Sequence, residues 1–280
     1  MTDQPPFSPG IPHGIPLDPW ADLRAHTQAR LALGRAGAAL PTAELLRFGL
    51  AHAQARDAVH IPLDADALAA QLQALGCATR QVHSAAPDRA TYLLRPDLGR
   101  RLCDADAEAL REVAAEGGAP IDLLLVVADG LSSLAVARQA PPLVEAIRQQ
   151  APAGWQLGSV VIARQARVAL GDAVGALLGA RLVAVLVGER PGLSSPDSLG
   201  IYLTWHPQVG RSDAERNCIS NVRPEGLQPA LAAARLWWLC QAARQLGLTG
   251  VGLKDRSDGL TLAAEAGAVS PAPAQLRANK

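Results

Sequence analysis

The stretch Ile121-Asp122-Leu123-Leu124-Leu125-Val126-Val127, running into Ala128-Asp129-Gly130, decides the fold. Its one polar member leaves no polar face, and a strand without a polar face is a strand covered on both sides, as in a parallel sheet. Downstream, residues 159–163 and 182–187 repeat the pattern. Between these strands lie a helix opening at Ser132 or Ser133 and another around residues 171–178, joined by short links. Strand, helix, strand, helix, strand is the grammar of a right-handed, mostly parallel α/β sheet. A Rossmann-like domain is therefore expected over residues 118–280.

Upstream of residue 118 the pattern is mainly helical. Asp18 and Pro19 read as N-cap and first residue of a helix that places Trp20, Leu23, Thr27 and Leu31 on one face. Thr42 caps a second helix reaching toward Arg56, and a third fits Asp64 to Leu75 with Gly76 as its stop. Short strands are predicted over residues 77–83 and 91–94, then a helix from Asp104 to Glu116. Residues 1–17 are a proline-rich arm with no means of forming a packed core. Near the other end, a helix from Pro229 to Leu246 contains Trp237 and Trp238, which diverge by about 100° and cannot both face one core. One of them is expected to meet a partner chain.

The chain has 280 residues, with 26 Lys plus Arg against 26 Asp plus Glu. A net charge of zero argues against a nucleic-acid binder or an acidic disordered tail. No apolar run approaches the roughly 20 residues of a membrane span, and no signal peptide is readable, so a cytoplasmic protein is expected. Cys77, Cys103, Cys218 and Cys240 form no C-x-x-C pair, and the histidines show no metal-binding spacing; reduced thiols and no metal site follow.

In an open α/β sheet, ligands bind beyond the carboxyl ends of the strands. That selects three loops: 128–133, 163–168 and 188–193. The first offers helix N-terminal amides at Ser132 and Ser133, either for an anion or as an ordinary cap. The third carries Glu189-Arg190-Pro191-Gly192, either a ligand-edge carboxylate or a surface ion pair. Gly171, Gly175 and Gly179 share a helical face, for close packing or for a flat ligand. There is no G-x-G-x-x-G, no P-loop and no G-x-S-x-G. No catalytic set is legible, which disfavours an autonomous hydrolase and leaves a stand-alone nucleotide-binding or regulatory α/β module open.

Longer words are more specific. RLALGRAG at 30–37, LPTAELLRF at 40–48, ARDAVH at 55–60, VADGLS at 127–132, GERPGL at 188–193, CISN at 218–221 and GVGLKD at 250–255 stand in the order found in the small, or light, subunit of ethanolamine ammonia-lyase, which the chain resembles from about Asp18 almost to its end. The resemblance implies a lyase that deaminates ethanolamine to acetaldehyde and ammonia with adenosylcobalamin. It implies a hetero-oligomer with several copies each of small subunits and TIM-barrel large subunits, the cobalamin at their interface and the radical chemistry in the barrel. Carried over by position, the family's cobalamin contacts fall on Val168, Glu189 and Cys218, two of which lie in loops that topology had already selected. The mutase motif D-x-H-x-x-G is missing, so the expected cofactor is base-on, with its own dimethylbenzimidazole as lower ligand. Some members enter a bacterial microcompartment, an address for which the proline-rich arm is a poor amphipathic helix.

Overall fold

The computed structural model describes residue 18 and residues 20–257, so the arm at residues 1–17 lies outside the described residues. The chain divides into two units: residues up to Arg56 together with Gly192–Ser195, and Asp57–Pro191 together with the residues from Pro196 on.

In the first unit, the helix expected from Asp18 is a single 3-10 turn, Ala21–Ala25, none of it buried. Asp18 Oδ1 does accept the Trp20 N–H at 3.0 Å. Thr27 and Leu31 lie beyond the turn. Without an apolar face to bury, a helix this short has little to offset its nucleation cost. Helix α1, Thr42–His60, supplies the rest of the unit with its residues up to Arg56.

The second unit begins with α2, Ala65–Ala74, capped by the Asp64 carboxylate on the Ala67 N–H at 2.9 Å. Strand β1 is Thr79–His83. The strand expected at residues 91–94 is instead part of helix α3, Arg89–Leu94. Asp88, extended at φ −148°, accepts the Thr91 N–H at 2.7 Å, and this cap turns a short apolar run into a helix. Helix α4 is Asp104–Ala115, β2 is Leu123–Ala128, and α5 is Ser133–Gln149 with Ser132 as its cap. Then come β3, Val160–Arg164, α6, Leu170–Leu177, and β4, Leu182–Gly188. Two strands that the sequence reading did not anticipate follow: β5, Leu199–Trp205, and β6, Arg216–Val222. Helix α7 is Pro229–Leu246, ended by Gly247 at φ 70°.

The mixed α/β sheet has six strands in the order β1-β3-β2-β4-β5-β6. The first four are mutually parallel; β5 and β6 extend the sheet antiparallel. Because β1 pairs with β3 residue for residue from Thr79↔Val160 to His83↔Arg164, the sheet includes a strand from before residue 118. Leu123, Leu125 and Val127 of β2, with Leu182, Ala184 and Leu186 of β4, join the core under α2, α5 and α7. The alternate residues Leu124, Val126, Val183, Val185 and Val187 join a second core under α4 and α6. Gly171 makes that second contact close, since a Cβ there would lie 2.3 Å from Val185 Cγ2. Gly175 would likewise meet Pro207 at 2.6 Å, so these two glycines serve helix packing, whereas Gly179 lies beyond α6 at φ 65° with nothing within 4 Å of a Cβ. Trp237 faces the first core and donates its Nε1–H to Ile147 O at 2.8 Å, whereas Trp238 is half-buried against the same core.

Candidate functional site

Strand order reverses at β2, because β3 and β4 lie on either side of it while α5 and α6 cover opposite faces. A ligand crevice is expected at such a switch point, beyond β2 and β4. Here the protein fills it. Leu131 N–H donates to Gly188 O at 2.9 Å, and a Cβ on Gly188 would lie 2.1 Å from Ser132 O. Asp129, 1% exposed, accepts the Gln165 and Ala166 N–H groups at 2.9 Å each and faces Arg89 Nη1 at 3.3 Å. Burial pushes the Asp129 pKa up, against the pull of Arg89 and the amides. Ser132 Oγ accepts the Ala135 N–H and donates to Pro196 O, while Ser133 Oγ donates to Ile61 O. Both hydroxyls are spent on the fold, and the Ser132 hydroxyl caps α5.

The opening lies one strand further along. On β5, Leu199, Ile201 and Leu203 face the first core, which turns Gly200, Tyr202 and Thr204 to the other side. Ile219 and Val222 of β6 face the same core, and Tyr202 pairs with Cys218. Over this side of β5 and β6 the cover thins: Tyr202 is half-buried, and Cys218 and Ser220 are exposed.

Of the three residues singled out from the sequence, Glu189 and Cys218 lie near each other on this face, whereas Val168 shares only a core cluster with Tyr202. Val168, half-buried in the β3–α6 loop, packs on the second core, against which Tyr202 also lies. Glu189 leaves the end of β4 and leans over Gly200, where a Cβ would come within 2.9 Å of its Oε1. Instead of pairing with Arg190, its carboxylate accepts the Ser198 hydroxyl, the Ser220 hydroxyl at 2.5 Å and the Asn221 N–H at 3.3 Å. Register slips between Leu199↔Val222 and Ile201↔Ile219, and Asn221 sits at φ 61°. This bulge re-aims Ser220 and Asn221 at Glu189. Cys218 stands on the floor beside Tyr202. Surrounding protein raises its thiol pKa, with Tyr202 opposing and the Glu189 carboxylate adding to the rise. The same surroundings push the Tyr202 hydroxyl up to about 12.

Residues 17–254 match the family model of the ethanolamine ammonia-lyase light chain. The chain belongs to that family. Proteins named ethanolamine ammonia-lyase small subunit are similar to it throughout: that of Xanthomonas campestris is 58% identical over 87% of this chain and 90% of its own. That of Pseudomonas syringae is 53% identical over 94% of this chain and 91% of its own, and that of Azotobacter vinelandii 55% over 86% and 90%.

Beneath its open face this light-chain family member carries a buried ion pair. Asp172 in the first turn of α6 takes both Arg216 Nη groups, at 2.7 and 2.6 Å, each side chain 1% exposed. Thr204 Oγ1 and Arg211 O accept further guanidinium N–H groups at 2.9 Å. Burial lifts the Asp172 pKa and Arg216 pulls it back; the two-pronged geometry is that of a charged pair. Because Thr204 and Arg216 are the register neighbours next to Tyr202 and Cys218, this pair ties α6 to the strands that form the floor. Sequence reasoning missed Ser198, Tyr202, Ser220 and the ion pair. The alternation Leu199, Ile201, Leu203 was the available signal. Among the described residues no cluster of His, Cys, Asp and Glu could hold a metal ion, and no helix is long and apolar enough to cross a membrane.

Proposed function

We propose that this chain is the small subunit of an adenosylcobalamin-dependent ethanolamine ammonia-lyase, and that Val168, Glu189 and Cys218 hold the cobalamin on the open β5–β6 face against a large subunit that carries the substrate. The names of the relatives support the enzyme and imply the partner. The observation that carries the cofactor reading is Glu189: a carboxylate at the end of β4, fixed by three donors over a glycine, beside the exposed Cys218 and Ser220.

The donor set fits a corrinoid. Glu189 accepts from corrin amides or a ribose hydroxyl, Val168 packs against the macrocycle rim, and Gly200 makes room for the Glu189 side chain. Cys218, with its thiol pKa raised, stays protonated near neutrality and acts by packing, not as a cobalt ligand. The floor offers no histidine, in keeping with a base-on cofactor. When bound, the cofactor supplies the radical chemistry by homolysis of its cobalt–carbon bond. This chain's residues bind and orient it; none of them is assigned a catalytic step.

The first unit exposes large apolar side chains. Trp20, Leu40, Leu45, Leu46 and Leu50 are each 55–68% exposed, far more apolar surface than a segment of this length leaves in water. We assign this surface, rather than a tryptophan of α7, to the large subunit. The close backbone contacts at the switch point, with no glycine-rich phosphate loop in the sequence, speak against a stand-alone nucleotide-binding module.

Titrating the complex with adenosylcobalamin tests the reading. Glu189→Gln is expected to raise the Kd about tenfold, since one charge-assisted hydrogen bond is worth about 1.5–3 kcal/mol and Gln keeps one acceptor. An unchanged Kd in a fully assembled complex removes Glu189 from the site. The chain without its large subunit is expected to show no deamination.

A further inference from the structure

Both hydroxyls that touch the Glu189 carboxylate donate to it. Ser198, 6% exposed, spends its hydroxyl proton on Oε2, which also takes the Asn221 N–H. Ser220, exposed on the bulge, spends its proton on Oε1. What remains at the surface is a carboxylate oxygen and a serine oxygen with lone pairs only. Turning either hydroxyl outward as a donor would cost its bond to the carboxylate.

We infer that Glu189 and Ser220, wired by Ser198 and the Asn221 amide, form an acceptor-only pair that selects a ligand bearing a neutral donor, such as a primary amide, over the same ligand bearing a carboxylate. The inference rests on the cobalamin reading above. A corrin carries primary amides around its rim, and hydrolysis of one amide replaces its N–H donors with an anion while scarcely changing its size. Facing this pair, that anion meets a like charge and lone pairs only, which disfavours its binding. Ser220 is here a positioning residue, holding Glu189 over Gly200 and keeping the pair free of donors.

The test is equilibrium binding to the assembled complex, comparing cobalamin with derivatives in which a single corrin side-chain amide is hydrolysed to the acid. One derivative is expected to bind about a hundredfold more weakly than the parent, the others much closer to it. Ser220→Ala, a surface change that leaves the core intact, is expected to weaken the parent about three- to tenfold and the discriminated acid hardly at all. Ser220→Thr, which keeps the hydroxyl, should retain the wild-type ratio. Glu189→Gln supplies an N–H donor and is expected to bring the acid within about tenfold of the parent. If the wild type binds cobalamin yet treats every acid like the parent, or if Ser220→Ala leaves the ratio unchanged, the selection is overturned while the cofactor site stands. If cobalamin itself fails to bind the complex, both fall.

Discussion

The two halves of the sheet are built to different rules. In β2 and β4 every residue is buried, because helices lie on both sides. In β5 and β6 burial alternates or breaks, with half-buried and exposed positions among the buried ones. The parallel half spends its side chains on two cores and closes its own switch point. The antiparallel half spends one face on the core and leaves part of the other exposed, at Cys218 and Ser220. Adding antiparallel strands to the edge of a parallel sheet thus leaves a less covered surface away from the switch point.

The severest way to break this contrast is at the seam. Arg216→Ala leaves Asp172 buried without its partner, and unfolding by denaturant is expected to show a loss of about 3–5 kcal/mol. A loss under about 1 kcal/mol would mean that α6 is held to β6 by something other than charge. A matched pair of glycine changes sharpens the contrast next. Gly188→Ala forces a methyl into the Ser132 and Asp129 backbone and is expected to cost about 2–3 kcal/mol of stability. Gly200→Ala meets chiefly the Glu189 side chain, so stability should fall by less than about 1 kcal/mol while cobalamin affinity in the complex drops with the displaced carboxylate. Equal stability losses would erase the distinction between the halves. The gentlest test lies at the entry to β6, where Glu215 accepts from Ser212 and Arg211. These bonds, the Ser212 amide first, lower its pKa from 4.5 to about 2. A lowered carboxyl pKa means that the contribution is complete above the ordinary value and fades as pH falls through about 2. An NMR titration should place the midpoint there, and Ser212→Ala should move it up.

The same contrast explains what could be read in the residues alone. Strands β2, β3 and β4 were legible because burial on both faces leaves an uninterrupted apolar run, and α7 because Pro229 opens it and Gly247 ends it. Strand β6, Arg216–Val222, hid because its exposed face is polar and its bulge breaks the alternation. Residues 91–94 misled because four apolar or β-prone residues fit either structure, and only the Asp88 cap decides. Of the site, the loops holding Val168 and Glu189 followed from topology, whereas Cys218 came from resemblance alone. The hydroxyls that hold Glu189 come from 9 and 31 positions away, joined by a bulge that leaves no periodic trace.

The order of the strands also has a consequence in time. Strands β5 and β6 are neighbours in the chain, joined by residues 206–215, whereas β1 must wait for β3, with Thr79 opposite Val160. Closing the longer loop costs more entropy, so the hairpin is favoured to form early and the β1 edge late. During synthesis the order is worse still, because β1 leaves the ribosome first. Its sequence Thr-Arg-Gln-Val-His holds one apolar residue, Val82, and that composition lets a strand without a partner stay in water until its neighbour has been made.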